Sequence, residues 1–154
     1  MYLGEYSISV TSGNRVAIPK RLREQLNKSG STNGGLVVTR GYEGCIVLVA
    51  ESEFHELLNG VSDIPFISAN KRETARFLLS GAHEVELDAQ GRFIIPESLH
   101  QYAKITDGKV VFLGVGNWIE IWDEAVWQEY RARLDDNSSE IAERLLQTQS
   151  TKQA

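Results

Sequence analysis

Two stretches of the chain share one order of apolar and polar positions, and each predicts a strand, a tight turn, a returning strand and a short helix. They cover residues 8–19 and 85–96. In each stretch, apolar residues alternate with polar residues before the turn and form an apolar run after it. Arg15 and Arg92, just past the two turns, are 77 positions apart. This shared spacing indicates an internal repeat.

The residues of the second turn explain its predicted shape. Asp88 can accept hydrogen bonds from backbone N–H groups two residues later, and Gly91 can adopt a positive φ. Residues 93–95 (Phe-Ile-Ile) then predict a buried strand. Pro96, like Pro19 in the first repeat, suits the first turn of a helix, where its missing N–H group costs nothing. We therefore expect structural roles for Asp88, Gly91, Pro19 and Pro96.

The other periodic segments complete two similar units, which predicts an α+β fold of two tandem β-rich repeats in one compact chain, with short helices and a C-terminal helix. We place repeat 1 at 5–52, repeat 2 at 82–125 and a helical tail with a disordered end at 126–154. Strands are predicted at 36–39 and 45–49, and residues from 37 and 45 onward match residues from 110 and 118 onward at an offset of 73. Loops are predicted at 28–35 and 60–66, and a helix at 70–80 with Asn70 as its cap.

Composition places the chain among soluble globular proteins, with 154 residues, 42% hydrophobic and 24% charged. The single cysteine, Cys45, excludes an internal disulfide and a cysteine-based metal site, and its apolar neighbours indicate a buried core residue. No apolar run approaches the roughly 18 residues of a membrane span. The first residues lack the pattern of a signal peptide, so we expect a cytoplasmic protein.

The net charge of −5 alone argues against nucleic-acid binding, but the charges are unevenly distributed. Residues 15–28 contain five basic residues and one acid, whereas residues 120–154 contain eight acids and four bases. Because physiological salt screens charges beyond about 8 Å, a local basic stripe can act within an acidic protein.

Several short motifs, taken in order, resemble the MraZ family of bacterial transcriptional regulators. The matching residues are Gly4-Glu5, residues 15–19, Leu79-Ser80-Gly81-Ala82, Asp88 with Gly91-Arg92, Gly114 with Gly116, and Glu120-Ile121-Trp122. The resemblance covers the chain from Met1 to about Tyr130. It implies two AbrB-like modules, each a β-rich swapped-hairpin unit, in a ring-shaped homo-oligomer.

The same resemblance implies a sequence-specific regulator that binds double-stranded DNA at promoter repeats, in the division and cell wall gene cluster and at its own promoter. It also implies a nucleoid-associated protein with no cofactor, membrane contact or small-molecule substrate. The first turn departs from the family pattern Asp-x-Lys-Gly-Arg, because Thr11, Gly13, Asn14 and Arg15 occupy those positions. The missing lysine bears on DNA affinity or on the DNA sequence that is bound.

The basic stripe supplies the predicted DNA contacts. Arg15 could contact a base edge or a phosphate, or pair with a nearby carboxylate. Lys20, Arg21 and Arg23 suit phosphates, which receive most protein hydrogen bonds to DNA. Asn14 is placed with this group because it precedes Arg15 and can replace glycine at positive φ.

Arg92 leaves two alternatives open, because acidic residues surround it: a structural pair with Asp88, or a DNA contact. His83, Asp88 and His100 do not convincingly form a catalytic or metal site, since they lie on separate elements and Asp88 has a role in its turn. We therefore expect neither an enzyme nor a metal protein. The alternative function is an antitoxin-like protein-interaction module without direct DNA readout.

Overall fold

The computed structural model describes residues 1–28, 35–58, 66–106 and 108–153, with side chains through residue 149. Most of the predicted loops at 28–35 and 60–66 lies outside the described residues. The strands are β1 (Tyr2–Ser9), β2 (Arg15–Ala17), β3 (Leu36–Arg40), β4 (Ile46–Ala50), β5 (His83–Val85), β6 (Arg92–Ile94), β7 (Lys109–Gly116) and β8 (Ile119–Asp123). The helices are α1 (Lys20–Lys28), α2 (Glu51–Leu57), α3 (Ala69–Ser80), α4 (Glu97–Tyr102), α5 (Glu124–Asp136) and α6 (Ser138–Gln153).

Six antiparallel strands form the main sheet, in the order β1-β7-β8-β4-β3-β5. The first strand of repeat 1, β1, pairs with β7 of repeat 2, and the first strand of repeat 2, β5, pairs with β3 of repeat 1. Each repeat therefore completes the sheet of the other. The predicted α+β fold of two swapped-hairpin repeats is confirmed.

The order of the sheet is symmetric about its central pair, β4 and β8. Val47 lies directly opposite Glu120, its counterpart 73 positions later. The offset of 73 is wrong for β3 and β7, however. Ile8 pairs with Val110, and the corresponding residue Val85 pairs with Leu36, which makes the offset between these two strands 74. Between the paired residues Arg40 and Ile46 the chain has one residue more than between Gly114 and Ile119, and this extra residue accounts for the change of offset.

The core lies on one side of the sheet and contains matched residues from both repeats. From β2 and β6 come Val16 and Phe93, and from α1 and α4 come Leu22 and Leu99. All four side chains are at most 3% exposed. Leu22 and Leu26, which are four positions apart, form the buried side of α1. Since both halves fill one core, neither repeat encloses a core of its own.

One predicted detail, the cap of α3, differs from the structure. Ser68, rather than Asn70, caps α3, and its hydroxyl oxygen accepts a hydrogen bond from the Lys71 N–H group at 3.4 Å. Helix α6 forms the predicted helical tail as far as Gln153, and the disorder expected at the chain end stays a prediction.

The chain divides into two compact units, Met1–Glu124 and the chain from Ala125 onward. The sheet belongs to the first unit and helix α6 to the second. No helix in the described part of the chain is both long and apolar enough to cross a lipid bilayer.

Candidate nucleic-acid interface

A two-stranded antiparallel ribbon joins the two repeats through β2 and β6. Val16 lies opposite Phe93, and both side chains point into the core. Directly opposed residues point to the same side of a sheet and their neighbours to the other side. The outward side of this ribbon therefore carries Arg15 opposite Ile94, and Ala17 opposite Arg92. We call these four side chains the ribbon face.

The ribbon face brings together the two arginines that the repeat placed 77 positions apart. They are diagonal neighbours across the ladder, a relation that separates residues by roughly 7–8 Å. The sequence predicted a similar place for each arginine within its own repeat. It did not predict that both would lie on one face, because that depends on the pairing of β2 with β6.

The first turn leaves the Arg15 side chain exposed. Its backbone is fixed by Thr11, whose N–H group and hydroxyl donate to the Arg15 carbonyl at 2.9 and 3.2 Å. Asn14 adopts a φ of 59°, as predicted for the residue that replaces glycine. Within the described chain, the Arg15 guanidinium has no ion pair and no hydrogen bond to another side chain. Threonine can shape this turn, but it offers no carboxylate to hold the arginine.

The second turn, in contrast, holds Arg92. Oδ1 of Asp88 accepts hydrogen bonds from the N–H groups of Gln90 and Arg92 at 2.9 and 3.0 Å. Its Oδ2 atom accepts from Arg92 Nε at 2.8 Å. The pKa of Asp88 lies below its ordinary value, first because the Arg92 backbone N–H donates to it and then because the guanidinium does. The structural pair left open by the sequence is therefore present.

The pair with Asp88 does not use the whole Arg92 guanidinium. Besides the Nε bond, Nη2 of Arg92 donates to Gln90 Oε1 at 3.0 Å. A guanidinium has five N–H donors. Among the described residues, three donors of Arg92 have no protein acceptor, and its side chain is 34% exposed. A DNA contact by Arg92 therefore stays a prediction that is compatible with the pair.

Arg23 contacts the turn of the opposite repeat. From helix α1, its Nη1 atom donates to the Gln90 carbonyl at 3.0 Å. The same guanidinium lies against Gly91, where an added Cβ atom would overlap Arg23 Nη1. Gly91 has a φ of 74°, so its position requires glycine for backbone conformation as well as for space. Arg23 thus helps to hold the second turn, a role that the sequence did not predict.

Two crossed backbone hydrogen bonds extend the ribbon at both ends. The Ile18 N–H group donates to the Gly91 carbonyl at 3.0 Å, and the Ile95 N–H group donates to the Asn14 carbonyl at 2.9 Å. Ile18 and Ile95 immediately precede Pro19 and Pro96, which stand directly before α1 and α4. Each turn is therefore fixed by the other repeat, and each proline lies immediately before its helix rather than within the first turn that the sequence predicted.

Lys20 and Arg21 begin α1 and are both exposed. Their helix is anchored by the buried Leu22 and Leu26. Within the described residues, neither basic side chain forms an ion pair. They follow Arg15 along the chain by five and six positions, and both remain available for the phosphate contacts predicted from the sequence.

Ile94 is the ribbon residue whose predicted burial is wrong. The run Phe93-Ile94-Ile95 predicted a strand buried throughout, but Ile94 is 52% exposed while its neighbours are 3% and 1% exposed. Side chains alternate along a strand, so only two of the three can face the core. The alternation itself was the signal that could have identified this outward residue.

The residues weighed as a catalytic or metal set are not brought together. His83 Nδ1 lies 3.0 Å from the Gly81 carbonyl, whereas Asp88 bonds within its own turn. In the described part of the chain, no group of three or more potential metal ligands is found. Cys45 is fully buried, as predicted, and burial followed by the charges of Glu120 and Glu43 raises the pKa of its thiol.

A separate cleft of about 350 Å³ lies between the sheet, α2 and α3. Its main polar groups are already engaged. Both carboxylate oxygens of Glu120 accept indole N–H groups, from Trp118 at 2.9 Å and Trp122 at 3.0 Å. Arg40 donates to the Phe77 carbonyl and the Ser80 hydroxyl, both at 3.3 Å. These contacts stabilise the walls of the cleft.

Comparisons with known proteins agree with this architecture. A family model described as "MraZ protein, putative antitoxin-like" matches residues 1–77 and 78–149, so its two matches begin 77 residues apart, like the repeats. The chain is 41% identical over 139 residues to a protein of Methylococcus capsulatus, which covers 90% of each chain. It is 37% identical over 145 residues to a protein of Roseiflexus sp., covering 94% of this chain and 96% of the relative.

A protein of Syntrophomonas wolfei is 36% identical over 146 residues, covering 95% of this chain and 97% of its own. All three relatives are named "Transcriptional regulator MraZ". That name describes a regulator rather than an enzyme, which agrees with the expectation that the chain is not an enzyme. The family match over both repeats and the near full-length similarity show that the chain belongs to the MraZ family.

Proposed function

We propose that this protein is a sequence-specific regulator of transcription that binds double-stranded DNA through the ribbon face. The observation that carries the proposal is the position of Arg15 and Arg92 on one outward side of a two-stranded ribbon. Antiparallel ribbons lie in the grooves of DNA in several regulators. Arginine is the side chain that most often binds a guanine edge. The name of the relatives supports the same function.

The helix after the first turn adds contacts to the DNA backbone. Lys20 and Arg21 are exposed at the start of α1, directly after Pro19. In this proposal they bind phosphates and fix the register of the ribbon, while the ribbon face contacts base edges. Arg23 and Asn14 contribute by holding the two turns in place, besides any contact of their own with DNA.

The protein acts as a homo-oligomer, with a ring as the proposed form. A chain with a net charge of −5, and with few exposed basic groups on the ribbon face and at the start of α1, binds DNA weakly as one subunit. Linked subunits raise the effective concentration of each further contact. Exposed Ile141, Leu145 and Leu146 on α6 support contacts between proteins, since apolar clusters on a surface mark interaction sites.

The proposed targets are repeated boxes in promoters of the division and cell wall gene cluster, including the promoter of the protein's own gene. The protein then works in the cytoplasm at the nucleoid. A footprint of the purified full-length protein on its own upstream DNA tests this. We expect two or more protected boxes with regular spacing. Uniform weak protection, or none, would contradict the proposal.

The second candidate is an antitoxin-like protein-interaction module. The wording of the matching family model and the apolar cluster on α6 favour it. The two functions differ in their dependence on Arg15. A co-purifying partner protein that is retained by the Arg15→Ala variant, together with no binding to upstream DNA, would favour the interaction module.

A further inference from the structure

The ribbon face is symmetric in its arginines but not in its apolar residues. Arg15 and Arg92 are equivalent in the two repeats, and so are Ala17 and Ile94, which are also 77 positions apart. One repeat therefore presents a single methyl group where the other presents a branched four-carbon side chain. Both apolar side chains are neighbours of Arg15 and Arg92, on the surface that we propose to face DNA.

Ile94 is directly opposite Arg15, and residues opposed in this way have Cβ atoms roughly 4.5–5.5 Å apart. A base edge that Arg15 reaches is therefore also within reach of Ile94. About half of the Ile94 side chain is exposed, although both of its neighbours along the chain are buried. Its exposed surface can be covered by DNA without any rearrangement of the core.

The edges of base pairs in the major groove offer one apolar group, the C5-methyl group of thymine. Resting on the proposed function, we infer that Ile94 is a specificity-determining residue that packs against a thymine methyl group beside the base or phosphate bound by Arg15. Ala17 is too short to make the same contact from the other side. The ribbon thus reads an asymmetric sequence, although its backbone is nearly two-fold symmetric.

Charge favours DNA over a second copy of the chain as the group that covers Ile94. On the ribbon face Ile94 is a neighbour of both arginines, directly opposite Arg15 and two positions from Arg92. Arg15 has no ion pair within the described chain, and Arg92 keeps N–H donors that bind no described residue. A second ribbon face would bring like charges together, whereas DNA brings phosphates. The experiment below also distinguishes a DNA contact of Ile94 from a contact of Ile94 between subunits.

The experiment measures DNA affinity by fluorescence anisotropy for wild-type protein, Ile94→Ala and a matched control, Val115→Ala. Val115 is an exposed apolar residue on β7, which belongs to the main sheet and not to the ribbon. The DNA is a box from the upstream region, either natural or with one thymine at a time replaced by deoxyuridine, which lacks the methyl group. Oligomer mass and melting temperature are measured for each variant.

We expect one deoxyuridine position to weaken wild-type and Val115→Ala binding by about four-fold, the effect of one buried methyl group. Ile94→Ala should bind the natural box at least four-fold more weakly and be insensitive to that replacement. Its salt dependence, oligomer mass and melting temperature should equal those of the wild type, because Ile94 carries no charge and is not in the core.

The possible failures can be told apart. If the wild type binds no upstream DNA, the proposed function itself fails. If the wild type binds but Ile94→Ala shows the same affinity and the same response to deoxyuridine, only the inference about Ile94 fails. A changed oligomer mass for Ile94→Ala would also overturn the inference, since it would place Ile94 in a contact between subunits.

Discussion

Val16 lies directly opposite Phe93 in the antiparallel ribbon, and the two residues hold the same position in the two repeats. Opposition of equivalent residues means that the ribbon has a local two-fold axis at this pair. The central pair of the sheet, Val47 and Glu120, has the same property. A single chain therefore reproduces the symmetry of a dimer, while leaving each half free to carry different side chains.

The first prediction concerns Arg15 and Arg92, which share a face but not a set of partners. Arg15→Ala should weaken binding to a cognate box by about 1–3 kcal/mol if its contact is bidentate. It should also flatten the log–log dependence of affinity on salt by about 0.9 for one lost phosphate contact. Its melting temperature should not change, because the Arg15 side chain is exposed and unpaired within the described chain.

Arg92→Ala should lower the melting temperature, because it leaves the Asp88 carboxylate without its guanidinium. Arg92→Lys is the matched control that keeps the charge but loses the paired geometry. The measurements are a salt titration of DNA affinity and thermal unfolding of each variant. An Arg92→Ala variant with unchanged stability and a slope as flat as that of Arg15→Ala would mean that the two repeats contact DNA equally.

The second prediction concerns the contact of Arg23 with Gly91. Gly13 and Gly91 both have positive φ, 80° and 74°, but a Cβ atom would meet no neighbour at Gly13 and would overlap Arg23 at Gly91. Gly13→Ala should lower the free energy of unfolding by about 1–2 kcal/mol through backbone strain. Gly91→Ala should lower it by a further ~1–3 kcal/mol through overpacking.

Urea unfolding of the double variant Arg23→Ala/Gly91→Ala tests the assignment. It should recover part of the stability lost in Gly91→Ala, because the overlapping side chain is gone. Residues in contact show such non-additive effects. Additive effects of the two substitutions would mean that Arg23 is not packed against Gly91 in solution.

The third prediction is a pH dependence that arises from Asp88. Its pKa is lowered in the folded protein, so its contribution to the free energy of unfolding is complete above the ordinary carboxyl pKa of about 3.9. The contribution is lost as the pH falls through the lowered value. The Asp88→Asn variant lacks this contribution of the carboxylate at every pH. The stability difference between wild type and Asp88→Asn should therefore be constant near neutral pH and shrink below about pH 4.

Chemical unfolding at a series of pH values measures this difference. Glu86→Gln is the control, since it removes an exposed carboxylate two positions earlier in the chain. A difference between wild type and Asp88→Asn that stays constant down to the most acid pH would show that the hydrogen bonds of Asp88 do not depend on its charge.

Much of the fold could be predicted from residue patterns, because the turn and helix preferences of single residues agree with the tertiary structure. The turn at Gly91 and the short helices next to the two prolines were predictable. The face shared by Arg15 and Arg92 was not, since it depends on pairing between strands 77 residues apart. The Arg23 contact was also hidden, because sequence spacing does not reveal that α1 packs against the turn of the other repeat.

The fourth prediction concerns assembly. Full-length protein should have a light-scattering mass larger than that of a dimer at micromolar concentration. It should bind DNA with tandem boxes at least ten-fold more tightly than DNA with one box, because linked contacts gain from high effective concentration. Leu145→Glu, in the exposed apolar cluster of α6, should reduce both the mass of the oligomer and its preference for tandem boxes. Equal affinity for one box and for a tandem array would contradict this prediction.

The exchange of strands between the repeats also affects how the chain folds during synthesis. Strand β1 (Tyr2–Ser9) is synthesised well before its partner β7 (Lys109–Gly116), which is more than 90 residues further along. At about 5–20 residues per second, a ribosome needs several seconds to supply that partner. Until then, the edge of β1 is open to pairing with another nascent chain. The time available for such mispairing is set by the rate of translation rather than by the final stability of the sheet.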